Sequence, residues 1–176
     1  SKVESGKILI QLESISIVEQ IKKIVQEQFN PWLDGRKVTI KIVNKPRAVF
    51  FDIKMLGHIV SNLFNNAFKY SSGAPNPVLE VKFYSNEFIL NFIDQGIGIS
   101  LEDQKKLFQP FARGENVGLI EGTGLGLVIV KYFSEQHNGQ ININSQVDKG
   151  TSISLTFPYL IPNKENIKSN KSLNFY

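Results

Sequence analysis

Residues 58–72 read HIVSNLFNNAFKYSS, and this stretch combines two helical periodicities. Asn62, Asn66 and Lys69 are four and three residues apart, which places them on one face of an α-helix. The stretch therefore predicts an amphipathic helix that is anchored in a core and carries a polar line along one edge. The apolar residues expected to bury the neighbouring face recur at 3.6-residue spacing and are Leu56, Ile59, Val60, Leu63 and Ala67.

The polar line suggests a site for a phosphate ligand and a metal ion. An unpaired buried amide costs about 1–3 kcal/mol, so both asparagines are expected to have partners. An amide oxygen can complete the shell of Mg²⁺, which takes its other ligands from water and substrate phosphates. Lys69 would set a positive charge against those phosphates. Taken alone, the segment fits a solvated helix edge equally well.

Two glycine-rich turns follow this helix and favour the binding site. The first, DQGIGI at residues 94–99, begins with Asp94 at the end of an apolar run, residues 88–93, that predicts a buried strand. A carboxylate there can accept a hydrogen bond from the exocyclic amine of adenine, whereas guanine would oppose it with a second acceptor. Gly96 and Gly98 would let the backbone approach the ring closely.

The second turn, GTGLGL at residues 122–127, precedes an apolar helical stretch. A helix N-terminus offers unpaired N–H groups and the positive end of the helix dipole, which is a suitable place for phosphate. The spacing GxGxG does not fit the dinucleotide fingerprint GxGxxG. Either glycine cluster alone is also compatible with an ordinary tight turn. The apolar residues expected on one face of the helix are Leu125, Val128, Ile129, Tyr132 and Phe133.

In this order the motifs resemble those of the ATP-binding catalytic domain of sensor histidine kinases. That family shares its superfamily with gyrase, mismatch-repair ATPases and heat-shock chaperones, and the resemblance covers about residues 1–158. The segments that carry it are NLFNNAFKY at 62–70 (asparagine box), DQGIGI (first glycine box), LFQPFARG at 107–114 (phenylalanine box), GTGLGL (second glycine box), and HNGQININS at 137–145 with KGTSISLTFP at 149–158 (closing hairpin).

The resemblance implies a role for each polar residue of the first two motifs. Asn66 would ligate Mg²⁺, while Asn62 and Lys69 would face the phosphates of ATP. Tyr70 would pack against the sugar or base, and Asp94 would recognise adenine. Lys69 is therefore expected to act in catalysis as well as in binding.

The resemblance also implies a mobile ATP lid over about residues 100–121, anchored or gated by Phe108 and Phe111. A core position suits both phenylalanines at least as well. Arg113, the second candidate catalytic residue, could reach the γ-phosphate as a planar cation with several donors, although exposed arginines often serve only solubility. The other residues expected to bind nucleotide are Gly96, Gly98, Ile99, Gly122, Thr123, Gly124, Leu125, Gly126, Leu127 and Thr151.

One position distinguishes branches of this superfamily. Its hydrolases and some of their relatives place a glutamate four residues before the metal-binding asparagine, but this chain has Asn62 there, which cannot act as a general base. The resemblance thus implies that ATP is presented to a nucleophile from elsewhere, in this family an imidazole on a dimerisation domain of two helices. We expect neither histidine of the chain to be that acceptor: His58 has no phosphoacceptor motif around it, and His137 suits a helix C-terminus favourable to the dipole.

Length and composition fit one compact domain of 176 residues with a net charge of +4. The chain has no cysteine, which excludes disulfides and zinc–thiolate sites and fits a reducing compartment. Its lysines are scattered without interleaved aromatic residues, which argues against nucleic-acid binding. No apolar stretch approaches the roughly 18 residues of a spanning helix. We therefore expect a cytoplasmic domain, with any membrane anchor of the parent protein lying upstream; a soluble parent is the alternative.

The pattern of elements predicts an α/β (α+β) two-layer sandwich. A mixed, largely antiparallel sheet would be covered on one face by helices, as in the Bergerat-type ATP-binding fold. We expect strands at 8–12, 38–42, 48–51, 79–83, 88–92, 141–143 and 153–157, and a helix over 17–29. Residues 1–7 are expected to end a dimerisation-helix linker, 8–160 to form the catalytic ATP-binding domain, and 161–176 to be a polar disordered tail or linker.

These observations predict the ATP-binding catalytic domain of a two-component sensor histidine kinase. It would transfer the γ-phosphoryl group of ATP to a histidine on a dimerisation domain absent from this chain, for onward transfer to a response regulator. The domain alone is expected to be a monomer and its parent a homodimer. Two alternatives remain: a nucleotide-binding or regulatory module without phosphotransfer, and a stand-alone ATPase of the same superfamily.

Overall fold

The computed structural model of the chain describes residues 9–118, 120 and 122–163. Within these residues the elements are β1 (Glu13–Ile15), α1 (Ile17–Gln28), β2 (Thr39–Val43), β3 (Val49–Phe51), α2 (Ile53–Lys69), β4 (Val78–Phe83), β5 (Glu87–Asp94), α3 (Leu101–Gln104), a 3₁₀ turn (Glu115–Val117), α4 (Gly126–Gln136), β6 (Gln140–Gln146) and β7 (Gly150–Pro158).

The main sheet has five strands in the order β2-β4-β5-β7-β6, and a short ladder joins β1 to β3. β2 runs parallel to β4, and every other neighbouring pair is antiparallel. Alternate residues of β4, namely Leu79, Val81 and Phe83, are buried because successive side chains of a strand point to opposite faces. Together with the helices packed on this apolar face, the sheet confirms the expected two-layer sandwich.

Helix α2 lies at the centre of the core. Asp52 caps its N-terminus and accepts hydrogen bonds from the N–H groups of Lys54 and Met55. Every residue of the predicted apolar stripe is at most 3% exposed, so the predicted orientation of the helix is confirmed. Helix α1 also matches its prediction, since it ends one residue before Phe29.

An aromatic cluster fastens the end of α1 to α2. The ring of Trp32 stacks on that of Phe68 at a centroid distance of 4.7 Å, and Phe29 lies 6.0 Å from Phe68 and 5.5 Å from Phe64. Such pairs contribute roughly 0.5–1.5 kcal/mol each beyond the burial of their area. The loop that follows α1 is therefore held firmly against the last turns of α2.

The expected first strand, at residues 8–12, was wrong. Ile8 lies outside the described residues and Leu9 is 69% exposed, whereas β1 begins at Glu13 and pairs with β3. The backbone N–H of Gln11 is instead bonded to the Asp52 carboxylate at 2.8 Å. An apolar run without a clear turn signal does not show where a strand begins and ends. Here the pairing with β3 determines the bounds of β1.

The apolar face expected for the helix after GTGLGL was wrong in part. Phe133 packs against the core as expected, together with Leu127, but the buried positions of α4 are Val130 and Ser134, and Tyr132 is 39% exposed. The helix contacts α2 and β6, and the positions of these neighbours select the buried face.

The ends of the chain lie largely outside the described residues. The expected linker at 1–7 and most of the expected tail at 161–176 fall there, so the domain boundaries remain predictions. Among the described residues, no helix is both long and apolar enough to cross a membrane.

His137 is fully buried at the end of α4 and joins two helices. Its Nε2 accepts the backbone N–H of Asp52 at 3.0 Å, and its Nδ1–H therefore donates to the carbonyl of Phe133 at 2.8 Å. The ring also stacks on Phe51 at 3.6 Å. Burial lowers the pKa of this imidazole. His137 is thus a neutral bridge, and the expected charged contact with the helix dipole is not what holds it.

The pKa of His137 in the folded protein lies below the unfolded value of about 6.5. Between these two pKa values the unfolded chain therefore binds more protons than the folded one. The stability contributed by the neutral ring is complete above pH 6.5 and is lost as the pH falls towards the folded pKa. We expect the free energy of unfolding, measured by urea denaturation, to decrease over that range. His137→Phe should abolish this component and cost about 1–3 kcal/mol at neutral pH, because the Asp52 N–H loses its acceptor.

The exposed His58 provides the matched control, since His58→Phe removes a histidine without opening a buried hydrogen bond. Asp94, whose pKa is raised to about 6, gives the opposite pH dependence. The difference in the pH dependence of the unfolding free energy between wild type and His137→Phe therefore reports the contribution of His137 alone. Equal pH slopes for those two proteins would contradict the assignment.

Candidate functional site

A cavity of about 600 Å³ opens between α2, the end of β5 and the segment that leads into α4. Asn62, Asn66 and Lys69 line one wall, as the spacing on the helix predicts. Asn65, which the sequence analysis did not select, lines the same wall. The polar line of the sequence is therefore the polar wall of this cavity.

Asn62 and the second glycine turn lie in direct contact. The amide nitrogen of Asn62 donates to the carbonyl of His58 at 2.8 Å, which fixes the side chain along the helix. A Cβ placed on Gly126, the first residue of α4, would lie 2.8 Å from the Asn62 Oδ1. Glycine at this position therefore lets the N-terminus of α4 approach the polar wall.

Lys69 and Tyr70 form the next part of the wall. The Lys69 ammonium lies 5.9 Å from the centroid of the Tyr70 ring. A Cβ on Gly122 would lie 3.2 Å from the Tyr70 hydroxyl and 3.9 Å from the Lys69 Nζ. The cation and the backbone of the second glycine turn thus face the same space.

Asp94 lines the same cavity from the last position of β5. Its Oδ1 accepts the N–H of Gly96 at 2.8 Å. Burial raises the pKa of this carboxyl to about 6, against the opposing effects of hydrogen bonds from Gly96 and Thr151 and of the charge on Arg36. The carboxylate is therefore an ionised acceptor at neutral pH, and its pKa lies unusually close to neutral pH for an aspartate.

The first glycine turn closes onto the end of α2. The N–H of Ile97 donates to the carbonyl of Tyr70 at 2.9 Å. A Cβ on Gly96 would lie 2.1 Å from the same carbonyl oxygen, so no other residue fits without displacing the backbone. Gly96 itself does not line the cavity, whereas Ile97, Gly98 and Ile99 do.

Polar side chains fasten the segment after this turn. Gln104 donates to the carbonyls of Ile99 and Ser145 at 2.8 and 3.0 Å, and Asn116 donates to that of Gly98 at 3.0 Å. The buried carboxylate of Asp103 accepts the N–H of Glu115 at 3.1 Å. Sequence reasoning missed these residues because isolated polar residues in a loop carry no periodic signal.

Thr151 lines the cavity beside Asp94, as expected. Its hydroxyl lies 2.8 Å from that of Ser145, which also accepts the N–H of Ile99 at 2.9 Å and donates to the carbonyl of Gly150 at 2.9 Å. The hydroxyl pair ties the hairpin of β6 and β7 to the first glycine turn.

The two phenylalanines of the lid segment lie outside the cavity. Phe111 is 74% exposed with a φ of +64°, and Phe108 lies under the Lys131 ammonium at 5.3 Å. Arg113 does line the cavity, and its guanidinium donates to the carbonyl of Ile120. Leu125 occupies the N-cap position of α4 and does not line the cavity. The other residues of the second glycine turn line it, namely Gly122, Thr123, Gly124, Gly126 and Leu127.

Comparison with known proteins agrees with this geometry. Residues 51–161 match the family model described as histidine kinase-, DNA gyrase B- and HSP90-like ATPase. This chain belongs to that family. The match begins at β3 and ends after β7, so it contains the whole cavity.

Proteins named as sensor histidine kinases are among the relatives and solved structures that resemble the chain. The chain is 30% identical to sensor histidine kinase YxdK of Bacillus subtilis, over 83% of this chain and 46% of that protein. The mycobacterial sensor histidine kinase MprB has a solved structure with a TM-score of 0.66 and 27% identity, covering 84% of this chain and 97% of that one. Full-length ShkA, solved in complex with AMPPNP, has a TM-score of 0.76 at 18% identity over 90% of this chain and 33% of that one, which supports the fold. The chain spans about a third to a half of the first curated relatives it matches.

The close contact at Gly96 can be tested against a second glycine. Gly96→Ala would drive a methyl group into the Tyr70 carbonyl, so we expect it to destabilise the protein and to distort the cavity. Gly57, inside α2, has nothing within 4 Å of an added Cβ. Gly57→Ala should therefore be neutral or stabilise the helix by up to about 1 kcal/mol. Urea denaturation of both variants measures the contrast, and equal effects would contradict the packing at Gly96.

Proposed function

We propose that this chain is the ATP-binding catalytic domain of a sensor histidine kinase, which transfers the γ-phosphoryl group of ATP to a histidine on a separate dimerisation domain. The observation that carries the proposal is that one cavity is lined both by Lys69 and the asparagine amides, with the start of α4 beside them, and by the Asp94 carboxylate. The first group would form a phosphate end, and Asp94 would form an adenine end.

This division fits a nucleotide in one orientation. The Asp94 carboxylate would accept the exocyclic amine of adenine, and its acceptor character would reject guanine. Tyr70 also lines the cavity and would pack against the sugar or base. The phosphates would then lie beside Lys69 and the N-terminus of α4, where a cation and unpaired N–H groups favour negative charge.

The cavity wall also suits Mg²⁺, through Asn66. This side chain is half-buried and lines the cavity within reach of the phosphate end. The ion would neutralise the phosphate charge, and Asn66 would hold it through the amide oxygen. Lys69 and Arg113 would supply the remaining positive charge, Arg113 after release of its bond to Ile120.

The charges around the cavity favour transfer to an outside nucleophile over hydrolysis. Among the described residues that line the cavity, Asp94 alone carries a carboxylate, and it lies at the proposed adenine end. Asn62 occupies the place where hydrolases of the superfamily have a glutamate, and an amide cannot remove a proton from water. An imidazole is already a nucleophile at neutral pH and needs no such base.

The larger context follows from the same proposal. The phosphoacceptor domain would dimerise the parent protein, and a response regulator would receive the phosphoryl group. The domain itself would act in the cytoplasm, where ATP is available, whether the parent is anchored in a membrane or soluble.

The role of Asp94 predicts how nucleotide binding depends on pH. Its pKa of about 6 means that the acceptor is lost as the pH falls through that value. We expect the affinity for Mg·ATP, measured by titration calorimetry, to be constant above about pH 7 and to weaken by up to about tenfold per unit below pH 6. Asp94→Asn should bind ATP weakly, discriminate poorly against GTP and lack this step.

The nucleotide itself also titrates, so the comparison between the two proteins is the decisive quantity. The phosphate contribution is common to both and cancels in the difference. A wild type that binds ATP and GTP equally, or a variant with an unchanged pH profile, would contradict the role of Asp94.

The phosphotransfer step needs the parent protein, or this chain together with the dimerisation domain of that parent. We expect Asn66→Ala and Lys69→Met each to reduce autophosphorylation by more than about a hundredfold, because both remove charge stabilisation at the phosphates. Lys54→Met, on an exposed position of the same helix, is the matched control. Nucleotide binding without transfer to the supplied domain would favour a regulatory module, and rapid hydrolysis by the chain alone would favour a stand-alone ATPase.

A further inference from the structure

Arg36 lies in the loop between α1 and β2, outside the cavity, and its guanidinium is buried against the end of α2. Its side chain is 12% exposed. The Nη2–H donates to the carbonyl of Phe68 at 3.0 Å, and the Nη1–H donates to both the carbonyl and the hydroxyl of Ser71 at 2.8 Å. The Nε–H donates to the Asp34 carboxylate at 2.8 Å, which holds the guanidinium plane in place.

These contacts satisfy a helix terminus. The last carbonyls of a helix have no partner within the helix, and they carry the negative end of its dipole. Arginine suits this place because its rigid planar fork delivers several donors together with a charge, whereas the lysine ammonium is a compact charge on a flexible stem. Ser71 is almost fully buried and donates its own hydroxyl to the carbonyl of Ala67.

The held carbonyls stand on either side of two residues of the cavity wall. Phe68 precedes and Ser71 follows the pair Lys69 and Tyr70, which both line the cavity. The carbonyl of Tyr70 in turn receives the N–H of Ile97 in the first glycine turn. Residues 68–71 therefore determine the position of the Lys69 ammonium and that of the first glycine turn, which follows Asp94.

We propose that Arg36 is a positioning residue of the nucleotide site, which fixes Lys69 and Tyr70 by holding the carbonyls of Phe68 and Ser71. This inference rests on the proposed function. Arg36 does not touch the cavity, so its effect on nucleotide passes through the turn that it holds.

The charge on Arg36 provides a readout that loss of packing alone would not give. Its field lowers the pKa of Asp94, in opposition to burial. The other groups that face Asp94 are the uncharged N–H donors of Gly96 and Thr151, while Lys69 and Arg113 line the same cavity and remain in place in every variant. Removing the charge of Arg36 should therefore raise the pH at which Asp94 takes up its proton.

The test compares Arg36→Met and Arg36→Lys with wild type by titration calorimetry of Mg·ATP across the pH range. Arg36→Met should weaken binding by about tenfold or more, because Lys69 and Tyr70 lose the hydrogen-bonded turn that fixes their positions. The pH at which affinity declines should also move upward. Arg36→Lys keeps the charge without the fork, so we expect weaker binding with the pH profile of the wild type.

Arg47→Met is the matched control. Arg47 stacks on the ring of Tyr159 at 4.1 Å and does not line the cavity. Arg47→Met therefore makes the same change in side chain and charge as Arg36→Met, but away from the site. It should leave both the affinity and the pH profile unchanged. Circular dichroism at each pH restricts the comparison to folded protein, and Arg36→Lys serves if Arg36→Met does not fold.

Each outcome has a separate meaning. Wild-type affinity and an unchanged pH profile in the Arg36 variants would overturn the positioning role and leave the proposed function intact. Equal losses in the Arg36 and Arg47 variants would also overturn it, because a general effect of charge or stability would then suffice. Failure of the wild type to bind Mg·ATP would overturn the proposed function itself.

Discussion

Helix α2 has to serve the core and the cavity at the same time, and the rest of the domain is arranged around that constraint. Its buried side chains each contribute roughly 1.5–3 kcal/mol of burial, which fixes the rotation of the helix about its axis. That rotation alone directs Asn62, Asn66 and Lys69 into the cavity. Asp52 at its start and Arg36 at its end then hold the helix along its axis. The polar wall is therefore positioned by apolar packing on the other side of the same helix.

The cavity is lined by groups of opposite charge, and their chemistry gives the site its direction. Among the described residues that line it, Asp94 is the one carboxylate and has a raised pKa, while Lys69, Arg113 and the asparagine amides supply cations and neutral groups. If Asp94 is engaged by the base as proposed, a polyanion is favoured beside the cations without a free carboxylate to activate water. The arrangement suits a domain that holds a reactive nucleotide and leaves the choice of acceptor to another part of the protein.

Much of this could be predicted from sequence because it is encoded in local periodicity. The stripe of α2, the alternation of β4 and the strand that ends at Asp94 are patterns within a few residues, and the structure has each of them. What the sequence did not reveal depends on distant partners. Arg36 meets Ser71 across 35 residues, and the buried face of α4 is selected by its neighbours. Phe111 is likewise exposed, on a backbone with positive φ, and no apolar pattern could indicate either feature.

The hydrogen bond from Gln11 to the Asp52 carboxylate has a mechanical consequence. The same carboxylate caps α2, and the backbone N–H of Asp52 is bonded to His137 at the end of α4. The segment that leads into β1 is thus fastened to both helices that border the cavity. A movement of the chain at Gln11 would therefore reach α2 and α4 together through these hydrogen bonds, whereas a hinge ahead of Gln11 would leave the bonds undisturbed.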